Sequence, residues 1–224
     1  MDEVDAYYRR NSARRVAAPT LYPPHETLRF RWRHEPVDSQ ASMVVGLHSG
    51  TGVDVLSGKV FDYTKPGAPL TDLGYGAHPV RALRANLDDD TRRELVIADL
   101  GTFVAKDTTL GKVSLIDGER TLSILEGIGR VAALAAGDLN GDGRQDIVVG
   151  EFGWQASGGL HILEQNKTPL TFTKKTLESD AGLVGLAVAD MNDDGRLDIV
   201  TAVSQHHERI DLWLNTPNGF DRRT

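Results

Sequence analysis

Cysteine is absent from this 224-residue chain. Disulfides, thiolate metal sites and haem attachment through Cys-x-x-Cys-His are therefore excluded within it. No run of 18 apolar residues occurs, so no membrane-spanning helix is expected. The first 30 residues are charged and lack the apolar stretch of a secretory signal, which points to a cytoplasmic protein or to a chain without its true N-terminus. Basic residues do not dominate either. Lys and Arg number 25 against 32 Asp and Glu, a net charge of −7, and a nucleic-acid partner would call for the opposite balance. Nucleophile-elbow, phosphate-cradling and zinc motifs are also missing.

What the chain does have is an acidic loop that recurs. One copy reads Asp138-Leu139-Asn140-Gly141-Asp142-Gly143-Arg144-Gln145-Asp146. A second reads Asp190-Met191-Asn192-Asp193-Asp194-Gly195-Arg196-Leu197-Asp198, 52 residues further on. The same step backwards reaches Asn86-Leu87-Asp88-Asp89-Asp90-Thr91-Arg92-Arg93-Glu94, a degraded copy in which Thr91 replaces the glycine and Glu94 the last aspartate. A period of about 50 residues suits the blade of a β-propeller.

Hard oxygen donors at alternate positions around a glycine suit a calcium ion, Ca2+. The side chains at positions 1, 3, 5 and 9 and the carbonyl at position 7 can converge. In the two full copies these are Asp138, Asn140, Asp142, Arg144 (main chain) and Asp146, then Asp190, Asn192, Asp194, Arg196 (main chain) and Asp198. The weaker set is Asn86, Asp88, Asp90, Arg92 (main chain) and Glu94. An EF-hand would need a glutamate at position 12 between helices. Val149 and Thr201 stand there, and the flanks are β-type. The competing reading is a set of solvated Asp/Asn/Gly turns.

Each loop runs into an apolar segment: Leu95–Ile97, Ile147–Val149 and Ile199–Val200. Further strands are expected at 42–47, 53–56, 59–63, 94–99, 112–116, 146–151, 160–164, 170–176, 197–203 and 210–214, punctuated by the 23 glycines. Residues 1–27 read as an N-terminal helix (2–16) and a proline-containing linker, which leads into a first strand, Leu28–Trp32. The expected fold is therefore all-β: an incomplete propeller, an open arc of about four four-stranded antiparallel blades. The units fall at about 28–83, 84–135, 136–187 and 188–224. The last is expected to stop inside the repeat, short of its outer strand.

The pattern D-x-[DN]-x-D-G-x-x-D-[IL]-V, followed by Gly150-Glu151-Phe152-Gly153, resembles the FG-GAP/VCBS repeat of calcium-binding β-propellers, including the integrin α-subunit head. The resemblance covers roughly 84–216, with a fainter unit before it. It implies calcium at the loops and an extracellular or periplasmic setting. It implies a non-enzymatic module for a protein or carbohydrate ligand, with further blades outside this chain, and no nucleic acid. A secreted hydrolase or lyase is the alternative. So is a haem-linked redox protein, because Asp2–Arg10 resembles the last helix of a small c-type cytochrome.

Two other features stand out. His206 and His207 form a histidine pair in an inter-strand loop, open to a metal or ligand. Trp154 sits in a glycine-rich loop, either exposed for a ligand or packed between blades.

Overall fold

The computed structural model describes residues 44–46, 51–55, 57–62, 71–75, 78–88, 90–205 and 208–224, all within one compact unit, Ser39–Thr224. The expected helix, linker and first strand of residues 1–37 lie outside the described residues, as do His206 and His207.

The described residues form sixteen strands and no helix. The first sheet holds β1 (Val44–Gly46), β2 (Thr51–Asp54), β3 (Lys59–Asp62) and β4 (Thr71–Asp72). The second holds β5 (Pro79–Ala85), β6 (Glu94–Asp99), β7 (Gly111–Asp117) and β8 (Arg120–Ile128). The third holds β9 (Val131–Gly137), β10 (Asp146–Glu151), β11 (Gly159–Gln165) and β12 (Phe172–Glu178). The fourth holds β13 (Leu183–Ala189), β14 (Asp198–Ser204), β15 (Glu208–Thr216) and β16 (Gly219–Arg223). In each sheet the strands run antiparallel in chain order. The outer strand missing from the sequence-based outline of the last unit is β16, so the fourth sheet is a full blade.

The second strands of the second and third blades, β6 and β10, are covered on both faces, which is why each carries a run of consecutive apolar residues. In β10, Ile147 and Val149 face the second sheet, while Val148 faces the fourth. All three are fully buried, at about 1.5–3 kcal/mol each. The first strands are built differently. β9 is VAALAAG and β13 is LVGLAVA. Small residues there let neighbouring sheets approach closely. A Cβ on Gly137 of β9 would lie 3.2 Å from Val188 Cγ1 of β13.

Three apolar clusters fill the three junctions. Val53 and Val60 meet Ala82, Leu95 and Ile97 between the first and second sheets. Val96, Val113 and Leu115 meet Val131, Ile147 and Leu163 between the second and third. Val148, Leu160 and Ile162 meet Leu183, Ile199 and Trp213 between the third and fourth. Among the described residues no cluster joins the first sheet to the fourth. The described residues form an open β-propeller arc of four blades.

Candidate metal centres

Each acidic loop links the first strand of a blade to its second: β5 to β6, β9 to β10 and β13 to β14. The loops therefore lie at the same end of three consecutive sheets.

The two full copies are wired alike. Asp138 accepts from the backbone N–H groups of Gly141 (2.7 Å) and Asp142 (3.1 Å) on one oxygen and Gly143 (2.8 Å) on the other. Asp190 likewise accepts from Asp194 (3.1 Å) and Gly195 (2.7 Å). Asn140 and Asn192 accept from the N–H of Asp142 (3.0 Å) and Asp194 (3.1 Å). Asp142 and Asp194 accept from the N–H of Arg144 and Arg196, both at 2.9 Å. The chain can curl this tightly because Gly143 and Gly195 sit at φ of 85° and 83°, in the left-handed region. The N–H groups of Gly195 and its neighbours hold the Asp190 carboxyl below its ordinary range, against a smaller opposing effect of burial, so it stays ionised.

Position 9 has a second task. Asp146 is fully buried; it accepts from Leu139 N–H (3.0 Å) on one oxygen and Gln165 N–H (2.9 Å) on the other. Asp198, also fully buried, accepts from Met191 (2.9 Å) and Asn215 (2.7 Å) in the same way. Glu94 accepts from Leu87 N–H at 2.6 Å. Burial pushes the Asp146 and Glu94 carboxyls up, against the pull of these N–H donors. Arg144 and Arg196 pair with Asp142 and Asp194. Their Nε atoms reach back to the carbonyls of Gln165 (3.4 Å) and Asn215 (2.7 Å).

In the degraded copy, Asp90 pairs with Arg92, while Asn86 donates to the carbonyl of Asp90 at 3.3 Å. Asp88, Asp90 and Glu94 each bring a carboxylate oxygen within 4.8 Å of the other two. Among the described residues this is where three carboxylates draw together. The acids of the two full copies are turned to their own N–H groups and arginines in the same way as Asp88 and Asp90 are. All three loops offer oxygen donors and no soft ligand, which fits a hard divalent cation such as calcium.

Sequence reasoning missed the residues that bind one loop to the next. Gln165 Nε2 donates to the carbonyl of Leu87, and Asn215 Nδ2 to that of Leu139 (2.7 Å). The available signal was their shared place, two residues beyond Leu163 and Trp213, which pair with Ile147 and Ile199.

At the opposite end of the third sheet, Trp154 is half-buried. Arg130, itself buried, lies over its ring at 5.4 Å and over Phe152 at 4.9 Å. Arg130 also donates to the Gly153 carbonyl at 2.9 and 2.7 Å. Trp154 thus serves packing between the loop and the third sheet.

Residues 138–201, which hold both full loops and the blade segment between them, match the FG-GAP-like repeat. No curated protein matches the chain.

Proposed function

We propose that this chain, whose residues 138–201 match the FG-GAP-like repeat, is a calcium-binding, non-enzymatic propeller module of an extracytoplasmic protein, serving a protein or carbohydrate ligand. One observation carries the calcium reading: the same oxygen-rich loop occupies the same place in consecutive blades, with matching hydrogen bonds at Asp138–Asp146 and Asp190–Asp198. Asp138, Asn140, Asp142, the Arg144 carbonyl and Asp146 would hold one ion. Asp190, Asn192, Asp194, the Arg196 carbonyl and Asp198 would hold another, with Asp88, Asp90 and Glu94 as a third group. The ion supplies charge neutralisation and cross-linking of the loop. Exposed loops of this kind suit the extracellular or periplasmic side, where calcium modules work at affinities on the order of 10⁻⁴–10⁻³ M.

Two further observations support a binding role. The glutamate–histidine pair away from the loops, Glu151 with His161, is closed off from solvent. Phe103, Val104 and Leu110 are 49%, 58% and 60% exposed in the loop between β6 and β7, a surface suited to contact.

The fourth sheet also supports a further blade as a partner. Val96 pairs with Leu115 on the face that meets the third sheet. Val148 pairs with Ile162 on the face that meets the fourth. The corresponding pair, Val200 with Leu212, belongs to no apolar cluster among the described residues, and Ile210 beside it is 68% exposed.

Isothermal titration with calcium tests the metal reading. The expected result is chelator-reversible binding, with one fewer ion bound in Asp142→Ala and one fewer in Asp194→Ala. A wild-type chain that takes up no calcium at millimolar concentration overturns it. A glycan and protein array probed with the calcium-loaded chain tests the ligand reading, and substrate turnover without ligand retention would count against it.

A further inference from the structure

A line of hydrogen bonds runs through all three acidic loops. Met191 N–H donates to Asp198, and the other oxygen of Asp198 accepts from Asn215 N–H. The Asn215 side chain crosses to the third sheet and donates to the Leu139 carbonyl at 2.7 Å. Leu139 N–H donates to Asp146, whose second oxygen accepts from Gln165 N–H. The Gln165 side chain crosses to the second sheet and donates to the Leu87 carbonyl, and Leu87 N–H donates to Glu94.

The third and fourth blades thus contribute the same two elements. The position-9 acid ties position 2 of its loop to the end of the third strand. The amide at that strand end then grips position 2 of the preceding loop. All of these bonds are buried except the one at Met191, which is partly so. The equivalent of Gln165 and Asn215 in the second sheet is Gly118, two residues beyond Ile116, which pairs with Leu95. Glycine has no amide to extend, so the line ends at the second sheet. A separate link reinforces it: Asn86 N–H donates to Gln145 Oε1 at 2.9 Å, which joins the first two loops directly.

We propose that this line couples the three loops, so that ordering one acidic loop orders its neighbours through Asn215 and Gln165. A buried polar chain of this kind behaves as a unit because each bond fixes the donor of the next. Coupling between sites is a shared free energy and acts in both directions. If calcium binds as proposed above, an ion that fixes Asp146 and Leu139 also fixes the carbonyl that Asn215 grips. The loops then fill with positive cooperativity.

The test uses the full chain and Asn215→Ala, with Asn215→Asp as a second variant that keeps the volume but cannot donate to Leu139. Circular dichroism verifies that each is folded. In chelator, amide hydrogen exchange is followed at Leu139 and Leu87. Coupling is expected to speed exchange at Leu87, two sheets away from the substitution, by threefold or more. A change confined to Leu139 overturns the proposal. Calcium titration then reads the same link. Both variants are expected to bind at least threefold more weakly at Asp138–Asp146 with a shallower isotherm, and isotherms that superimpose on the wild type overturn coupling of the metal sites. Absence of any calcium binding would defeat the metal reading alone, because the exchange measured in chelator still decides the coupling.

Discussion

His161 Nε2 lies 2.9 Å from Glu151 Oε2, inside the third blade and at the end of the sheet remote from the acidic loop. The other Glu151 oxygen accepts from Gly129 N–H at 2.6 Å, and His161 Nδ1 is 3.0 Å from Thr176 Oγ1. The pair joins the second, third and fourth strands of the blade to the chain entering it. His161→Phe is expected to destabilise the fold by about 1–3 kcal/mol, the cost of leaving a buried acceptor unpaired. Urea unfolding measures this. Calcium affinity should not change, since the pair is at the far end of the sheet; a variant that lost calcium binding while still folded would contradict that separation.

Chelator should lower the melting temperature. An ion that binds only the folded chain adds about 2.7 kcal/mol at a hundredfold excess over its Kd. Without the ion, the grouped carboxylates of Asp88, Asp90 and Glu94 repel one another. Differential scanning calorimetry with and without calcium checks this, and a melting temperature indifferent to chelator would tell against filled sites.

Asp211 makes the acid side of the stability curve predictable. Burial raises its pKa, but hydrogen bonds from Arg209, Thr224 and Arg222 outweigh that and hold it below its ordinary 3.8. A depressed carboxyl contributes stability that is complete above its unfolded value and is lost as pH falls through the folded value. The wild type should therefore lose stability below about pH 4, in part through Asp211. Asp211→Asn should be less stable at pH 7 and show a smaller fall between pH 5 and pH 3. Urea melts at the three pH values decide it; parallel falls in both proteins would remove Asp211 from the explanation.

The face of the fourth sheet that carries Val200 and Leu212 meets no apolar cluster among the described residues, and it should make the chain associate. Ile210, at 68% exposure beside Val200 and Leu212, is the place to interrupt it. Ile210→Lys is expected to reduce concentration-dependent association in sedimentation velocity and to lower binding of an apolar dye. Its effect on stability should stay within about 0.5 kcal/mol, as for other surface changes. Association unchanged by Ile210→Lys would place the contact elsewhere.

Much of the fold was legible from local chemistry. The apolar run after each acidic loop located β6 and β10 at their observed bounds, because the middle of a strand covered on both faces must be apolar on both. The glycine at φ of 85° or 83° marked the tight turn before β10 and before β14. The first strands, β5, β9 and β13, went unrecognised. Their alanines, glycines and, in β5, arginines carry little strand preference, and they are strands because each pairs along its length with the second strand of its blade. β16 was missed for another reason: Gly219–Arg223 is mostly polar, as an outer strand facing water can be.

For the candidate site, the sequence alone determined the donor types, their spacing and the period, since these are local to nine residues and repeat along the chain. Only the tertiary structure decided which acids draw together and what joins the loops. Asp88, Asp90 and Glu94 converge in the copy that had looked weakest. Asn215 reaches Leu139 across 76 residues, and Gln165 reaches Leu87 across 78. Such contacts carry no local signature, because they arise when one blade is laid against the previous one and each buried carbonyl must find a donor.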